Sequence, residues 1–285
     1  CNPVYLSRSS VCRSSLRLFR CPNQVNNQFL IGVNMQNPYK SILKSLNLPY
    51  RPILGESSTK TVKGEKLGFL TGIVYLVPDE KLCPLAKLAG CFEGCLNTAG
   101  RGAFNSVQKA RQAKTRFFYD QQKAFLLSLA ADVFALQQKA KRLNLIPLVR
   151  PNGTSDIPYE NLIIWDNKNL FQLFPEIQFY DYTKHPNRNL DGKTTGNYDL
   201  TYSFSAITPK PISIKGLSNP HNSRAAVVFQ KREDIPKSFR TWSVVDGDDT
   251  DVRHIEPKSV VVALYAKGKA KRDVSGFAQI KGVHF

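Results

Sequence analysis

LGFLTGIVYLVPDEKLCPLAKLAGCFEGCLNTAGRGAF, residues 67–104, decides how this chain is read. Residues 69–77 are rich in aliphatic, aromatic and β-branched side chains and stop at Pro78-Asp79, the pattern of a strand. The loop that follows carries Cys83, Cys91 and Cys95, three thiols within thirteen residues. It then runs through Ala99-Gly100-Arg101-Gly102 into a helical pattern. Thiolates are soft ligands for zinc, copper and iron–sulfur clusters, and parallel α/β proteins keep their chemistry on the loops after strands.

The spacing is C-x7-C-x3-C, not the paired C-x2-C of zinc ribbons. Cys1, Cys12 and Cys21 fall in residues 1–34, which read as an extension, and the three cysteines that remain are an odd, tightly clustered set, which argues against a disulfide framework and fits a reducing compartment. Three thiolates with no fourth nearby suit an iron–sulfur cluster with one open iron, or a zinc completed by His185 or His254. Iron–sulfur stands ahead of zinc because three ligands leave a coordination position vacant. Three buried, spare thiols are the plain alternative.

Outward from this loop the pattern alternates. Two helices follow, with apolar stripes at Ala103, Val107, Ala110, Ala113 and Phe117, then at Phe125, Leu129, Val133, Leu136 and Ala140. The first carries Lys109, Arg111, Lys114 and Arg116 on its other side. The second ends on Lys139, Lys141 and Arg142, where cations complement the helix dipole. Strand patterns recur at residues 146–150, 177–182, 198–204, 225–230, 242–245 and 259–266. Continuous apolar runs such as SVVVALYA suit strands buried on both faces. About seven strands separated by helices or long connections predict parallel βα units in an α/β fold. A partial or closed (β/α) barrel with the thiol loop after its first strand fits best, and an open doubly wound sheet is second. Residues 66–285 read as that single barrel-like domain, with residues 35–65 an N-terminal arm that holds one short helix. The only methionine is Met35, and residues 1–34 contain four arginines and no acid. That stretch reads as an extension translated upstream of a start at Met35.

In a parallel barrel the strand ends collect the working residues. They supply Arg150, Asn152 and Asp156 after the second strand, Asp181 at the end of the third, Asp246 after the sixth, and Lys267 and Lys269 after the seventh. Asp181 alternates with Tyr180 and Tyr182 and so takes the opposite face. A buried carboxylate there needs a partner such as Lys184 or Arg150. It serves equally as a catalytic acid or as an ion-paired core residue. Asp156, Asp181 and Asp246 are the catalytic candidates, with Arg150 and Asn152 lining the pocket. Gly100 and Arg101 precede a helix start and could cradle an anion, as could Lys267 and Lys269. The acid run Asp246, Asp248, Asp249 and Asp251 fails the EF-hand spacing, and a hydrogen-bonded turn paired with nearby cations is its first reading.

The 285 residues carry a formal net charge of +18, which favours nucleic acid or nucleotide partners. No stretch approaches the ~20 apolar residues of a membrane span. Nothing in the composition fixes an oligomeric state.

Several strings, taken in order, resemble the phage family called gene product 88: CLNTAGRGAF, QKARQAKTRFF, VRPNGTSDIPYE, FYDYTKHPNR, YDLTYSFS, AAVVF, VVDGDDTDVR and ALYAKGKAKRDVSGF. The resemblance spans about residues 66–281. It implies a phage or prophage protein that works in the cytoplasm of a bacterial host, and it brings no established activity. At the level of fold the thiol loop also resembles that of radical S-adenosylmethionine enzymes, which implies an iron–sulfur cluster on Cys83, Cys91 and Cys95 and S-adenosylmethionine as a second ligand. The spacing departs from that superfamily's C-x3-C-x2-C, and no matching glycine-rich motif is present. The functional expectation is a metal-binding barrel acting on a nucleotide or nucleic acid. Its rivals are a basic nucleic-acid-binding protein of phage replication or host takeover without a catalytic metal, and a magnesium hydrolase built on the Asp246–Asp251 run.

Overall fold

The computed structural model describes residues 36–56 and 59–283. The expectation placed on residues 1–34 lies outside them. Each strand pattern becomes a strand within a few residues of its expected bounds: β2 Phe69–Val74, β3 Ile146–Arg150, β4 Gln178–Thr183, β5 Tyr198–Ser203, β6 Asn222–Phe229, β8 Trp242–Asp246 and β9 Val261–Tyr265. All seven run parallel to their neighbours in the order β2-β3-β4-β5-β6-β9-β8. Two-residue strands β1 (Leu54–Gly55) and β7 (Ser238–Phe239) add antiparallel edges, and β10 (Ala278–Gln279) continues alongside β6 where β5 has ended. The fold is therefore mixed α/β with a mostly parallel ten-stranded sheet that is not closed. The three shortest strands carry no periodic signal of their own, so the sequence pattern missed them.

The helix-covered face holds the main core. α4 (Gln122–Leu143) buries Phe125, Leu129, Val133, Leu136 and Ala140 as its spacing requires, and residues 124–131 are buried all round it. Sheet lies on one side of this helix and α1 (Pro38–Ser45) on the other. α1 begins at Asn37, whose side chain accepts from the amides of Tyr39 and Lys40, and it buries Tyr39 and Leu43. The arm is pinned to α4 by Asp132, which accepts from the amides of Ile53 (2.6 Å) and Leu54 (3.0 Å) and from the Tyr50 hydroxyl (2.6 Å).

α3 (Asn105–Asp120) departs from its expected stripe. Ala103 precedes the helix, Ala110 and Ala113 are exposed, and the buried side is Thr115, Phe117 and Phe118. Its inner neighbour is the polar thiol loop rather than the sheet. Gln108 and Arg111 make that contact through hydrogen bonds, a face no hydrophobic period reveals. No described helix is long and apolar enough to cross a membrane.

Asp132→Ala should free three donors at once and lower stability by about 1–3 kcal/mol, read as a fall in the urea midpoint. An unchanged midpoint would mean that the arm is not held by this carboxylate.

Candidate functional site

The carboxyl ends of β2 to β6 meet under residues 75–104, and close backbone approach is what lets them meet. Gly153 donates to the Val74 carbonyl at 2.9 Å, and a Cβ on it would lie 2.6 Å from that same oxygen. Gly102 is confined likewise, 2.5 Å from the Asn97 carbonyl. The buried Asn97 is gripped by Gln108 and by Arg111, whose Nη1 reaches Asn97 Oδ1 at 2.7 Å. The string CLNTAGRG is thus a clasp between loop and α3. Gly100 and Arg101 stand exposed in a 3-10 turn before a helix with no side-chain cap.

The thiols are free and half-buried. Cys83 Sγ donates to the Thr154 carbonyl at 3.8 Å, and Cys95 Sγ accepts from the Asn97 amide at 3.5 Å. Burial raises all three above the usual thiol range. Each also feels its neighbours: Asp156, Cys95 and Cys91 raise Cys83 further, while Lys184 draws Cys91 down and Arg111 draws Cys95 down. The loop therefore gathers the thiols into one electrostatic neighbourhood with Asp156, Lys184 and Arg111. Among the described residues, no group of three or more His, Cys, Asp or Glu side chains is arranged to hold a metal ion.

Beneath the loop lies a buried polar network. Arg188 forks onto Glu160, with Nε to Oε1 and Nη2 to Oε2 both at 2.6 Å, and reaches Asp156 Oδ1 at 3.2 Å. Its Nη2 also donates to the Tyr198 hydroxyl (3.1 Å), which donates onward to Asp181 Oδ2 (2.9 Å). Asn152 gives Asp181 both its amide hydrogen (2.9 Å) and its side-chain NH2 (3.1 Å). Arg150 Nε stands 3.9 Å from the same carboxylate, and its Nη1 lies 3.3 Å from Asp251. Asp181 has no exposure and lies on the helix-covered face with Phe179 and Leu200, opposite Tyr180 and Tyr182.

The thiol loop thus lies over the turn after β3, where the Asp156 amide donates to the Leu82 carbonyl and Cys83 meets the Thr154 carbonyl, with Asn152 and Arg150 around Asp181 below. It does not bring the other candidates there. Asp246 pairs with Arg232 at 2.7 Å. Lys267 pairs with Asp248, and Lys269 is exposed in the following 3-10 turn. The acid run is a hydrogen-bonded turn with cation partners: Asp248 accepts from the Tyr265 amide, and its carbonyl accepts from Lys63. Sequence reasoning missed Arg188, Glu160 and Tyr198, which no motif spacing connects. Lys184 does not meet Asp181; its ammonium group donates to Ser203 instead.

Arg188→Met should leave Glu160 and Asp156 buried without a cation and lower stability by about 3–5 kcal/mol, measured by urea unfolding. Burial lifts the Asp181 carboxyl to about 7, against the pull of Arg150 and the Asn152 amide. Between its unfolded value of about 4 and that folded value, the folded chain binds the extra proton, so ionisation removes stability as pH rises through this window. Asp181→Asn should therefore lose less stability than the wild type between about pH 4 and pH 7. Identical slopes would show that burial does not hold this acid neutral.

No curated protein and no solved structure matches the chain. The sequence model of gene product 88 matches residues 52–280, which takes in the arm's edge strand, the thiol loop, the buried network and the last strand. The chain belongs to the gene product 88 family of phage proteins.

Proposed function

We propose that this protein binds an iron–sulfur cluster through Cys83, Cys91 and Cys95 and acts there on a nucleotide or nucleic acid ligand in the cytoplasm of a bacterial host. The observation that carries the reading is that three free, half-buried thiols share one loop over the strand ends. Each thiolate there is disfavoured by burial, and the Cys83 thiolate also by both other thiols and by Asp156. A metal cation reverses that balance, because it favours the deprotonated sulfur outright. The sulfurs do not form a finished cage, so binding requires residues 83–95 to close around the metal. Zinc would take the same thiols as a closed structural site. A bound cluster with an open iron would supply redox or radical chemistry, with S-adenosylmethionine as a candidate ligand by resemblance alone. Asp156, Asn152, Arg150 and Asp181 then shape the floor of the site.

The same reading includes a sheet curled into a partial barrel. Lys63, ahead of β2, donates to the Asp248 carbonyl at 2.7 Å, Phe69 meets His254 with ring centres 5.5 Å apart, and Arg150 pairs with Asp251. These contacts join the first strands to the turn after β8, near the opposite end of the strand order. A flat sheet would hold the two far apart.

Anaerobic purification followed by iron, sulfide and zinc analysis tests the metal reading. A brown protein with stoichiometric iron and sulfide, bleached by Cys→Ser at any of the three positions, is expected. A colourless chain with one zinc selects the zinc form, and a metal-free chain removes the metal altogether. For the nucleic acid ligand, affinity should fall steeply as salt is raised.

A further inference from the structure

Lys184 is the residue directly after β4, at the mouth beneath the thiol loop. Its backbone amide donates to Asp156 Oδ2 at 2.8 Å, which fixes where the side chain departs. The ammonium group donates to the Ser203 carbonyl (2.9 Å) and hydroxyl (3.1 Å) at the end of the adjacent strand β5. It sits 5.0 Å above the ring of Phe277. These contacts hold the charge in place without neutralising it. Among the described residues no carboxylate comes within 4.0 Å of this ammonium, whereas the buried arginines Arg150, Arg188, Arg224 and Arg253 each have one. A half-buried cation held by neutral acceptors alone carries a desolvation penalty that an anion would offset. The Phe277 ring in turn lies against the thiol loop, 3.3 Å from where a Cβ on Gly94 would sit, so the ammonium group stands next to the segment that carries Cys91 and Cys95, and its charge draws the Cys91 thiol down.

We infer that Lys184, steadied by Ser203 and Phe277, forms an anion subsite beside Cys91 that receives the carboxylate or phosphate group of the ligand bound at the strand ends. This deepens the reading of the thiol loop as the ligand site, but it needs no metal. Phosphate and carboxylate share the required chemistry: compact oxyanions that accept hydrogen bonds from an ammonium group. Lysine meets either as a point charge.

The test uses the full chain, reduced and metal-free, and follows carboxamidomethylation of Cys91 by iodoacetamide with peptide mass spectrometry. Pyrophosphate and citrate are the two anion probes. Bound next to Cys91, an anion should slow its alkylation several-fold while leaving Cys83 less affected. Because Lys184→Met itself changes Cys91 reactivity, each variant is scored by its rate ratio with and without anion. The ratio should fall to one in Lys184→Met, persist in Lys184→Arg, and weaken in Ser203→Ala, where the ammonium group loses one tether. Protection by pyrophosphate alone assigns a phosphate-bearing ligand, and protection by citrate alone a carboxylate. No protection in the wild type, or equal protection in Lys184→Met, overturns the subsite. Failure to load iron leaves this readout intact, so the two readings fail separately.

Discussion

One guanidinium holds the working end of this molecule together. Arg188 is 3% exposed and binds Glu160, Asp156 and Tyr198. Through Tyr198 it reaches Asp181, and through Asp181 it reaches Asn152 and the turn after β3. Through Asp156 it fixes the backbone of Lys184 and, by the Asp156 amide on the Leu82 carbonyl, the start of the thiol loop. The turn after β3, strand β4, the first residue of β5 and the loop after β2 thus hang on one buried charge network. Arginine suits the position because its planar fork meets a carboxylate in two parallel bonds and stays charged when buried.

The other face of the sheet shows the same preference for buried charge. Arg224 is 1% exposed and pairs with Asp199, while Arg253 has no exposure and pairs with Glu256 at 2.6 Å. Phe69, Leu148, Tyr180 and Val252 form a small apolar cluster on this face. Such interiors specify geometry more than they add stability, since every ion must keep its partner or strand a charge in low dielectric. Burial raises the Glu256 carboxyl to about 7 despite Arg253 beside it.

The thiol loop differs from both networks in being incompletely paired. Its backbone is clasped by Gln108, Arg111 and Ser205, so the segment is well determined. Among the described residues no carboxylate comes within 4.0 Å of the Lys184 ammonium group, and the thiols are free. The buried arginines Arg150, Arg188, Arg224 and Arg253 each have a carboxylate partner. Lys184 and the thiols lie at the strand ends, where parallel α/β folds bind their ligands.

The sequence by itself determined the strands and their direction. Seven strands and α4 are legible because a buried parallel strand must be apolar along its length and a core helix must repeat its apolar residues at its own period. It also placed the three cysteines on one loop after the first long strand. It could not show that β9 inserts between β6 and β8, since strand order depends on packing rather than on local pattern. Nor could it show that α3 turns a polar face inward, because its neighbour there is a hydrogen-bonded loop. Tertiary structure alone decided which charges meet. Arg188 and Glu160 lie 28 residues apart and Arg150 and Asp251 lie 101 apart. Nothing local in the chain distinguishes those residues from solvated ones until the fold removes the water around them.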